Sequence, residues 1–496
     1  METFLEIRNP ATGELAGRVE CATHLQIADS VARARRAQKK WRARSFDERG
    51  AIIRRFHDLI LDRQVQVLDT IQQETGKTRR DALAELVTVA GTARYYLKHG
   101  ARHLAVSKRR GAVPAITSAE VVYKPYGVAG LITPWNYPFL LGIADALPAL
   151  LAGNAVVIKP SELTPLSAVL AESLLVESGL DPDLAIVVNG RGDAGAELIK
   201  YVDYVGFTGG IETGRKVAVA ASERLIPYSL ELGGKNPMIV LEGAPIEQAA
   251  IGLIAGAFSN SGQTCISIER VFVQQSIFEE FARAVTEKTA KLKIGFSPSW
   301  DLDVGSLISR AHADKTFWHI ERAVTNGAKL LAGGKRRLDL GETFIQPTVL
   351  SGVNDSMAVF SEETFGPVVA LYPVQTAEEA IERANDSVYG LNASVWTGEG
   401  KRAREIARRL ETGSTGINST LLIYHSFDVP MGGVKQSGIG RRHGAQGILR
   451  YTQAQSIVSS IAAGGGYDAL ALNITNEKTA RAVIQAMKLW RRIPGL

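Results

Sequence analysis

From residue 155 to residue 210 the chain alternates short apolar runs with helical stretches. Ala-Val-Val-Ile-Lys (155–159) precedes a helical stretch near 164–178, Ala-Ile-Val-Val (185–188) precedes another near 193–200, and Tyr-Val-Gly-Phe-Thr-Gly-Gly follows at 204–210. Strands separated by single helices form βαβ units, and βαβ units make a parallel sheet. A second alternation starts at Pro-Met-Ile-Val-Leu (237–241) and runs through Arg-Val-Phe-Val (270–273), Pro-Val-Val-Ala-Leu (367–371) and Ala-Ser-Val-Trp (393–396). The expected fold is therefore α/β in two halves, with a boundary near 233–236. Ahead of them, residues 26–75 read as two helices. Ser45 and Glu48 have capping-box spacing, Ile52, Phe56, Leu59 and Ile60 follow a helical stripe, and Gly76 is a stop.

The run Val128–Ile158 carries almost no charge and is long enough to suggest a membrane span. Pro134, Pro138 and Pro148 break it, Asp145 lies inside it, and Thr-Pro-Trp-Asn-Tyr-Pro (133–138) is turn chemistry, so a buried strand, a loop and a buried helix are expected instead. The start, Met-Glu-Thr-Phe-Leu-Glu, has neither the basic nor the apolar region of a signal peptide. The net charge of +6 is small for 496 residues, and Lys478, Arg481, Lys488, Arg491 and Arg492 near the end carry most of it. The basic runs at Arg33–Arg44 and Lys98–Arg110 are short and read as solvated faces, so no nucleic-acid partner is expected. Two cysteines, Cys21 and Cys265, make no disulfide framework and point to a reducing, cytoplasmic compartment.

Three residues suit chemistry. Cys265 follows small, turn-forming residues in Ser-Asn-Ser-Gly-Gln-Thr-Cys (259–265), where backbone can approach a bound group; by itself a lone cysteine is more commonly a buried structural thiol. Glu231 sits in Leu-Glu-Leu-Gly-Gly-Lys-Asn-Pro (230–237), an apolar segment in which burial would raise its pKa and suit a general base, or in which it is a salt-bridged core residue. Asn136 offers an amide donor from a rigid loop. Lys159-Pro-Ser-Glu162 follows a strand, where a Lys and a Glu can grip a ribose diol. Phe207-Thr-Gly-Gly-Ile-Glu-Thr-Gly214 follows a strand and opens a helix, where N–H groups face a pyrophosphate. The Gly-x-Gly-x-x-Gly fingerprint does not occur there.

With Asn-Pro-Ala-Thr-Gly-Glu (9–14), Glu-Glu-Thr-Phe-Gly-Pro-Val (362–368) and Pro-Met-Gly-Gly-Val-Lys-Gln-Ser-Gly (430–438), these motifs come in one order. In that order they resemble the aldehyde dehydrogenase superfamily, from about residue 7 to 460. The resemblance implies a Rossmann-type cofactor domain (1–107 and 127–233), an α/β catalytic domain (234–440) and a β oligomerisation arm. The arm would pair 108–126 with 450–462, exchanged between the subunits of a homodimer or homotetramer, and 463–496 would be an extension. It implies Cys265 as nucleophile, Asn136 and the Cys265 N–H as oxyanion donors, and Glu231 as the base that hydrolyses a thioester. It implies NAD, with NADP as the alternative, held by Ile132, Thr133, Pro134, Trp135, Lys159, Ser161, Glu162, Phe207, Thr208, Gly209, Gly210, Gly214, Leu232, Gly233, Glu363 and Phe365; no metal is expected. Two departures stand out: Gly210 replaces the family's usual Ser, and Ala445 replaces a carboxylate that would relay protons for the base.

The tail motif with Arg-Arg-His-Gly (441–444) is similar to a branch called succinate-semialdehyde dehydrogenase. Arginines of that activity are replaced here by Ser259 and Glu177, and Phe139, Leu140, Leu141 and Phe258 are apolar, so an uncharged, hydrophobic aldehyde is expected first and succinate semialdehyde second. A catalytically silent homologue would have lost Cys265 or Glu231, and both are present. Last, Ala480, Val483, Ile484, Met487 and Trp490 form one helical stripe within the basic segment 477–492. Such a helix either packs on its own or a neighbouring subunit, or lies on an anionic membrane surface.

Overall fold

The computed structural model describes residues 3–111, 117–460 and 474–491. Five parallel strands form the first sheet in the order Tyr228–Glu231, Tyr204–Thr208, Val128–Ile132, Ala155–Lys159, Ala185–Val187, and the two-residue strand Gly438–Ile439 adds antiparallel beside Tyr228–Glu231. Its strands are apolar on both faces because helices cover both. The former membrane-span candidate resolves into the strand Val128–Ile132, a loop, and the helix Pro138–Leu151, in which all residues but Ala144 are buried. Among the described residues no helix is long and apolar enough to cross a membrane.

The second sheet has seven strands in the order Lys329–Ala332, Thr348–Ser351, Val368–Val374, Ile268–Gln274, Asn236–Val240, Asn392–Trp396, Ser414–Ile417; all pair in parallel except the first two. The link from one sheet to the other is the four residues Leu232 to Lys235, where the sequence places its boundary. Both sheets belong to one unit, 1–103 with 125–453. The described parts of 104–124 and 454–496 make up a second unit, and a three-stranded sheet carries Thr117–Pro125 between Ser107–Arg110 and Thr452–Ser460. Parts of the expected arm and extension, 112–116, 461–473 and 492–496, lie outside the described residues.

The stretch read as two helices is three. Thr23 and Ser45 cap His24–Trp41 and Phe46–Asp62 with reciprocal capping boxes. Arg63, at φ −94° and ψ 22°, then steps out of helical geometry and the chain restarts as Gln64–Thr75, ended by Gly76 at φ 69°. No glycine or proline marks the break at Arg63, so periodicity runs through it unnoticed. At the C-terminus the helix Glu477–Trp490 begins with a capping box at Asn476, and Ile484 and Met487 are 53% and 62% exposed.

Candidate active site

The carboxyl ends of the first sheet lie along one edge. Ile132 pairs with Lys159 on one side and Phe207 on the other, and Thr208 pairs with Glu231. The strands Val128–Ile132 and Tyr204–Thr208 adjoin, while the connections after them run to opposite sides of the sheet; such a switch point leaves a crevice at the carboxyl edge. Thr133, Pro134, Trp135 and Asn136 leave its centre. Gly210 is the N-cap of the helix Ile211–Glu223 and has no side chain to cap it; a Cβ there would meet open space. Gly209 donates its N–H to the Glu231 carbonyl at 3.1 Å. Gly214 packs so tightly on Leu232 that a Cβ would sit 2.6 Å from its methyl. Lys159 is buried, its Nζ 3.6 Å from Glu162 Oε2, and burial holds its pKa below the usual lysine range. Ser161 is buried beside them, and the buried Thr133 hydroxyl has no hydrogen-bond partner. An uncapped helix start, a buried cation next to a carboxylate and an unused hydroxyl fit a dinucleotide.

Glu363 closes the crevice from the second sheet. Its Oε1 accepts from the Gly234 N–H at 2.8 Å, and its other oxygen lies where a side chain on Gly233 would have to go. Burial, with Glu269 nearby, pushes the Glu363 carboxyl up to about 8. Glu269 pairs with the buried Lys235 and accepts from the N–H groups of Thr364 and Phe365 at 3.0 Å each, which fixes this loop and allows Phe365 a φ of 57°. Trp135 then meets Phe365 edge-on, with centroids 5.5 Å apart.

The cysteine loop follows the helix Ile246–Phe258 through three consecutive left-handed residues, Asn260, Ser261 and Gly262, at φ 51°, 57° and 72°. Asn tolerates that region, whereas Ser is strained there and is held by its hydroxyl, which donates to the Gly305 carbonyl at 3.0 Å. The Asn260 amide donates to the carbonyls of Asn136 and Gln263, and the Asn136 amide donates to Gln263 as well, each at 3.0 Å. One N–H of the Asn136 amide is used in this way and a second remains. Below it, the buried pair Lys77–Glu85 ties Asn136 to the next helix: Lys77 donates to the Asn136 carbonyl at 2.7 Å, and Glu85 accepts from the N–H groups of Phe139 and Leu140.

Cys265 emerges from this loop into an apolar cluster of Ile266, Leu391, Leu421, Ile423, Tyr424 and Met431, its Sγ 3.7 Å from the Tyr424 hydroxyl. Burial pushes the thiol up to about 11; the Tyr424 contact and Arg442 oppose that, and the carboxyls of Glu231 and Glu363 add to it. Glu231 is buried, with no hydrogen-bond partner for Oε1, so it is not the salt-bridged core residue that the sequence also allowed. Burial lifts its carboxyl to about 7, against the pull of Arg442, Arg450 and Arg441.

Several parts of this arrangement escaped the sequence reading. Lys235 and Gln263 stand inside recognisable motifs, but their side chains hold backbone rather than ligand. Lys77 sits in the short loop after Gly76, and Glu85 and Asp145 sit inside helices, with no motif to flag them. Tyr424 lies in a short turn, Leu422–His425. Of the apolar residues considered for the substrate, Phe139 and Phe258 are buried in the core and Leu140 and Leu141 line an internal cavity beside Asp145 and Tyr424.

The sequence profile of the Aldehyde dehydrogenase family matches residues 1–457. The chain belongs to the aldehyde dehydrogenase family. A Mycolicibacterium smegmatis protein provisionally named as a succinate-semialdehyde dehydrogenase using NADP+ is 44% identical over 90% of this chain and 87% of its own. A 4,4'-diapolycopene aldehyde oxidase of a Methylomonas species is 41% identical over 91% of this chain and 84% of its own. In three dimensions, betaine aldehyde dehydrogenase of Staphylococcus aureus, solved with NAD+, superimposes with a TM-score of 0.87 at 33% identity, covering 92% of this chain and 91% of the other. The dehydrogenase is an oxidoreductase that acts on an aldehyde group with NAD or NADP.

Proposed function

We propose that this dehydrogenase oxidises an uncharged, hydrophobic aldehyde to its acid through a thioester on Cys265. The observation that carries the substrate class is the apolar cluster around the Sγ, Ile266, Leu391, Leu421, Ile423, Tyr424 and Met431 among the described residues, which offers a substrate carboxylate no charge partner. Arg442, the cation nearest in effect on the thiol, is already paired with Asp145. Cys265 gives its proton to water and attacks the carbonyl carbon as the thiolate; the second N–H of Asn136 and the Cys265 backbone N–H hold the oxyanion. The bound nicotinamide supplies the hydride acceptor. Glu231, ionised above about pH 7, takes a proton from the water that hydrolyses the thioester. Gly209, Gly210 and the helix they open receive the pyrophosphate, Lys159, Ser161 and Glu162 the adenosine ribose, and Glu363 and Phe365 the other ribose. Residues 1–107 with 127–233 then form the cofactor domain, which also lends Asn136 and Glu231 to the reaction, and 234–440 the catalytic domain, which lends Glu363 and Phe365 to the cofactor, while 108–126 and 450–462 join copies of the chain.

Succinate semialdehyde is the second reading, supported by the name of the mycobacterial relative. The diapolycopene relative, whose named substrate is a hydrocarbon chain ending in an aldehyde, supports the first. A panel of octanal, benzaldehyde and succinate semialdehyde decides: kcat/KM highest for octanal or benzaldehyde is the expected result, and highest for succinate semialdehyde would overturn it.

Glu162 also makes a cofactor prediction. Its carboxylate can accept from a ribose 2′-hydroxyl but repels a 2′-phosphate, with Lys159 at 3.6 Å softening the repulsion. The expected kcat/KM is higher with NAD+ than with NADP+, and Glu162→Gln narrows the ratio; a higher value for NADP+ in the wild type would refute it.

For the C-terminal helix we propose, beside packing on its own or a neighbouring subunit, contact with an anionic membrane surface, where an apolar aldehyde also collects. Exposed Ile484 and Met487 with Lys478, Lys488 and Arg491 around them support this. Each cation contributes on the order of 1 kcal/mol near such a surface. Full-length protein is expected to sediment with anionic liposomes at low salt and not at high salt, whereas a chain ending at Gly466 stays in solution. Equal sedimentation of both would exclude the assignment in favour of packing on protein.

A further inference from the structure

Glu231 has a companion that the motifs do not announce. Met431 and Arg442 exchange backbone hydrogen bonds of 2.9 and 2.6 Å, closing a hairpin whose Gly438–Ile439 strand pairs with Leu230 and Glu231. Gly432 in this hairpin lies so near the base that a Cβ would stand 3.2 Å from Glu231 Oε1. At the root of the hairpin, Arg442 Nη2 donates to Asp145 Oδ2 at 2.9 Å and to Thr208 Oγ1 at 2.7 Å. Thr208 is the cross-strand neighbour of Glu231. The second oxygen of Asp145 takes Arg450 at 2.6 Å, and Arg450 also donates to the Tyr451 hydroxyl. Arg442 and Arg450 therefore share one carboxylate, and their side chains are each only 9% exposed.

The charges count up simply. Two arginines face one aspartate, so the buried group carries an excess cation until Glu231 ionises and makes it neutral. The excess cation offsets part, though not all, of what burial costs the ionised Glu231, whose carboxyl still stands at about 7. Glu231 Oε1 and Arg442 Nε are both buried without a hydrogen-bond partner, although buried polar atoms are normally paired. The cluster thus spends its donors on Asp145 and Thr208 and leaves the base's oxygen unbonded, able to meet water.

We infer that Arg442, clamped by Asp145 and Thr208, is the positioning residue that holds Glu231 ionised near neutral pH and so sets the pH at which the acyl-enzyme is hydrolysed. The inference rests on Glu231 being the deacylation base. Other charged groups facing Glu231 are Arg441 from the hairpin, Arg450 beyond the short helix Gly444–Leu449, Asp145 from the helix Pro138–Leu151, and the Cys265 thiol from its loop. His443, next to Arg442, is pushed down to about 4 by burial and Arg442, so it is neutral in the working range. The charge that steadies the base is a cation of opposite sign.

The test is the pH profile of deacylation, read from an acyl-enzyme formed with p-nitrophenyl acetate and normalised to the burst amplitude. Arg442→Gln moves the midpoint of the alkaline-rising limb upward by about one pH unit, the scale expected for losing a nearby opposite charge, and Arg442→Lys restores most of it. Asp145→Asn moves the midpoint the other way, because it removes a negative charge beside Glu231. Loosened packing would move both in one direction, so like-signed shifts or an unmoved midpoint would overturn the inference. Should Arg442→Gln not fold, Asp145→Asn decides it by its downward shift, with Arg442→Lys staying near the wild-type midpoint; an upward or absent shift in Asp145→Asn would overturn the inference. Glu231→Gln in the same assay separates the two levels. If it keeps the limb, the base assignment itself fails; if it loses the limb while Arg442→Gln leaves the midpoint in place, only the role of Arg442 fails.

Discussion

Cys265→Ala loses aldehyde oxidation by more than about 10³-fold and still binds NAD+, the pattern expected when the only nucleophile goes and the cofactor cradle stays. The proposed cradle, Lys159, Glu162, Gly209 and Gly210, lies at the edge of the first sheet, whereas Cys265 stands on a separate loop beyond the second sheet's first helix. Replacing a thiol by a methyl inside the cluster of Ile266, Leu391 and Met431 removes one atom from an apolar environment, so the loop keeps its shape. Calorimetric titration with NAD+ and a steady-state assay on octanal separate the two effects. Near-normal turnover by Cys265→Ala would remove the nucleophile from the account. Cys21→Ser is the control: it lies outside every motif and leaves kcat within about twofold, the range of a surface-type substitution.

Glu231→Gln has the second large effect, of a different kind. The amide is isosteric with a carboxyl whose Oε1 has no hydrogen-bond partner, and it fits the space left by Gly432. Acylation then continues, giving one burst of NADH per site, while steady-state turnover falls by about 10²–10⁴-fold, the usual worth of a general base. The wild-type rate rises as pH passes about 7, where Glu231 ionises, and the variant has no such rise. Stability carries the opposite sign. The folded protein holds the Glu231 proton up to about pH 7 while the unfolded chain releases it near the ordinary carboxylate value, so this residue costs stability as pH rises through that window. Glu231→Gln is therefore expected to have a higher Tm than wild type at pH 8 and no advantage at pH 4. A variant that turns over normally, or one whose Tm at pH 8 is lower, contradicts the assignment of a buried, high-pKa base.

The sequence was most legible where one residue type answers to one local rule. Alternating apolar strands and helical runs announced the parallel sheets, and the Ser45–Glu48 box and Gly76 marked true helix ends. Gly210 and Gly214 pointed to a helix start, and at Gly214 the backbone lies so close to Leu232 that no side chain fits. Arg63 was invisible because a single residue with ordinary side-chain chemistry breaks the helix. The supports of the site were invisible for a related reason. Lys77 with Glu85, Lys235 with Glu269, and Arg442 with Asp145 are charge pairs joined across the fold, and neither partner carries a signal until the chain has folded. Asn260 and Ser261 look like ordinary loop residues, yet their left-handed backbone aims the cysteine.

The central claim is a covalent acyl group on one sulfur, awaiting one base. Acid quenching of Glu231→Gln a few seconds after mixing with NAD+ and octanal, followed by peptide mass spectrometry, tests it most directly. The expected product is an octanoyl group on the peptide that contains Cys265, at close to one per chain, with none on the peptide containing Cys21. An unmodified Cys265 accompanied by a full burst of NADH would contradict it.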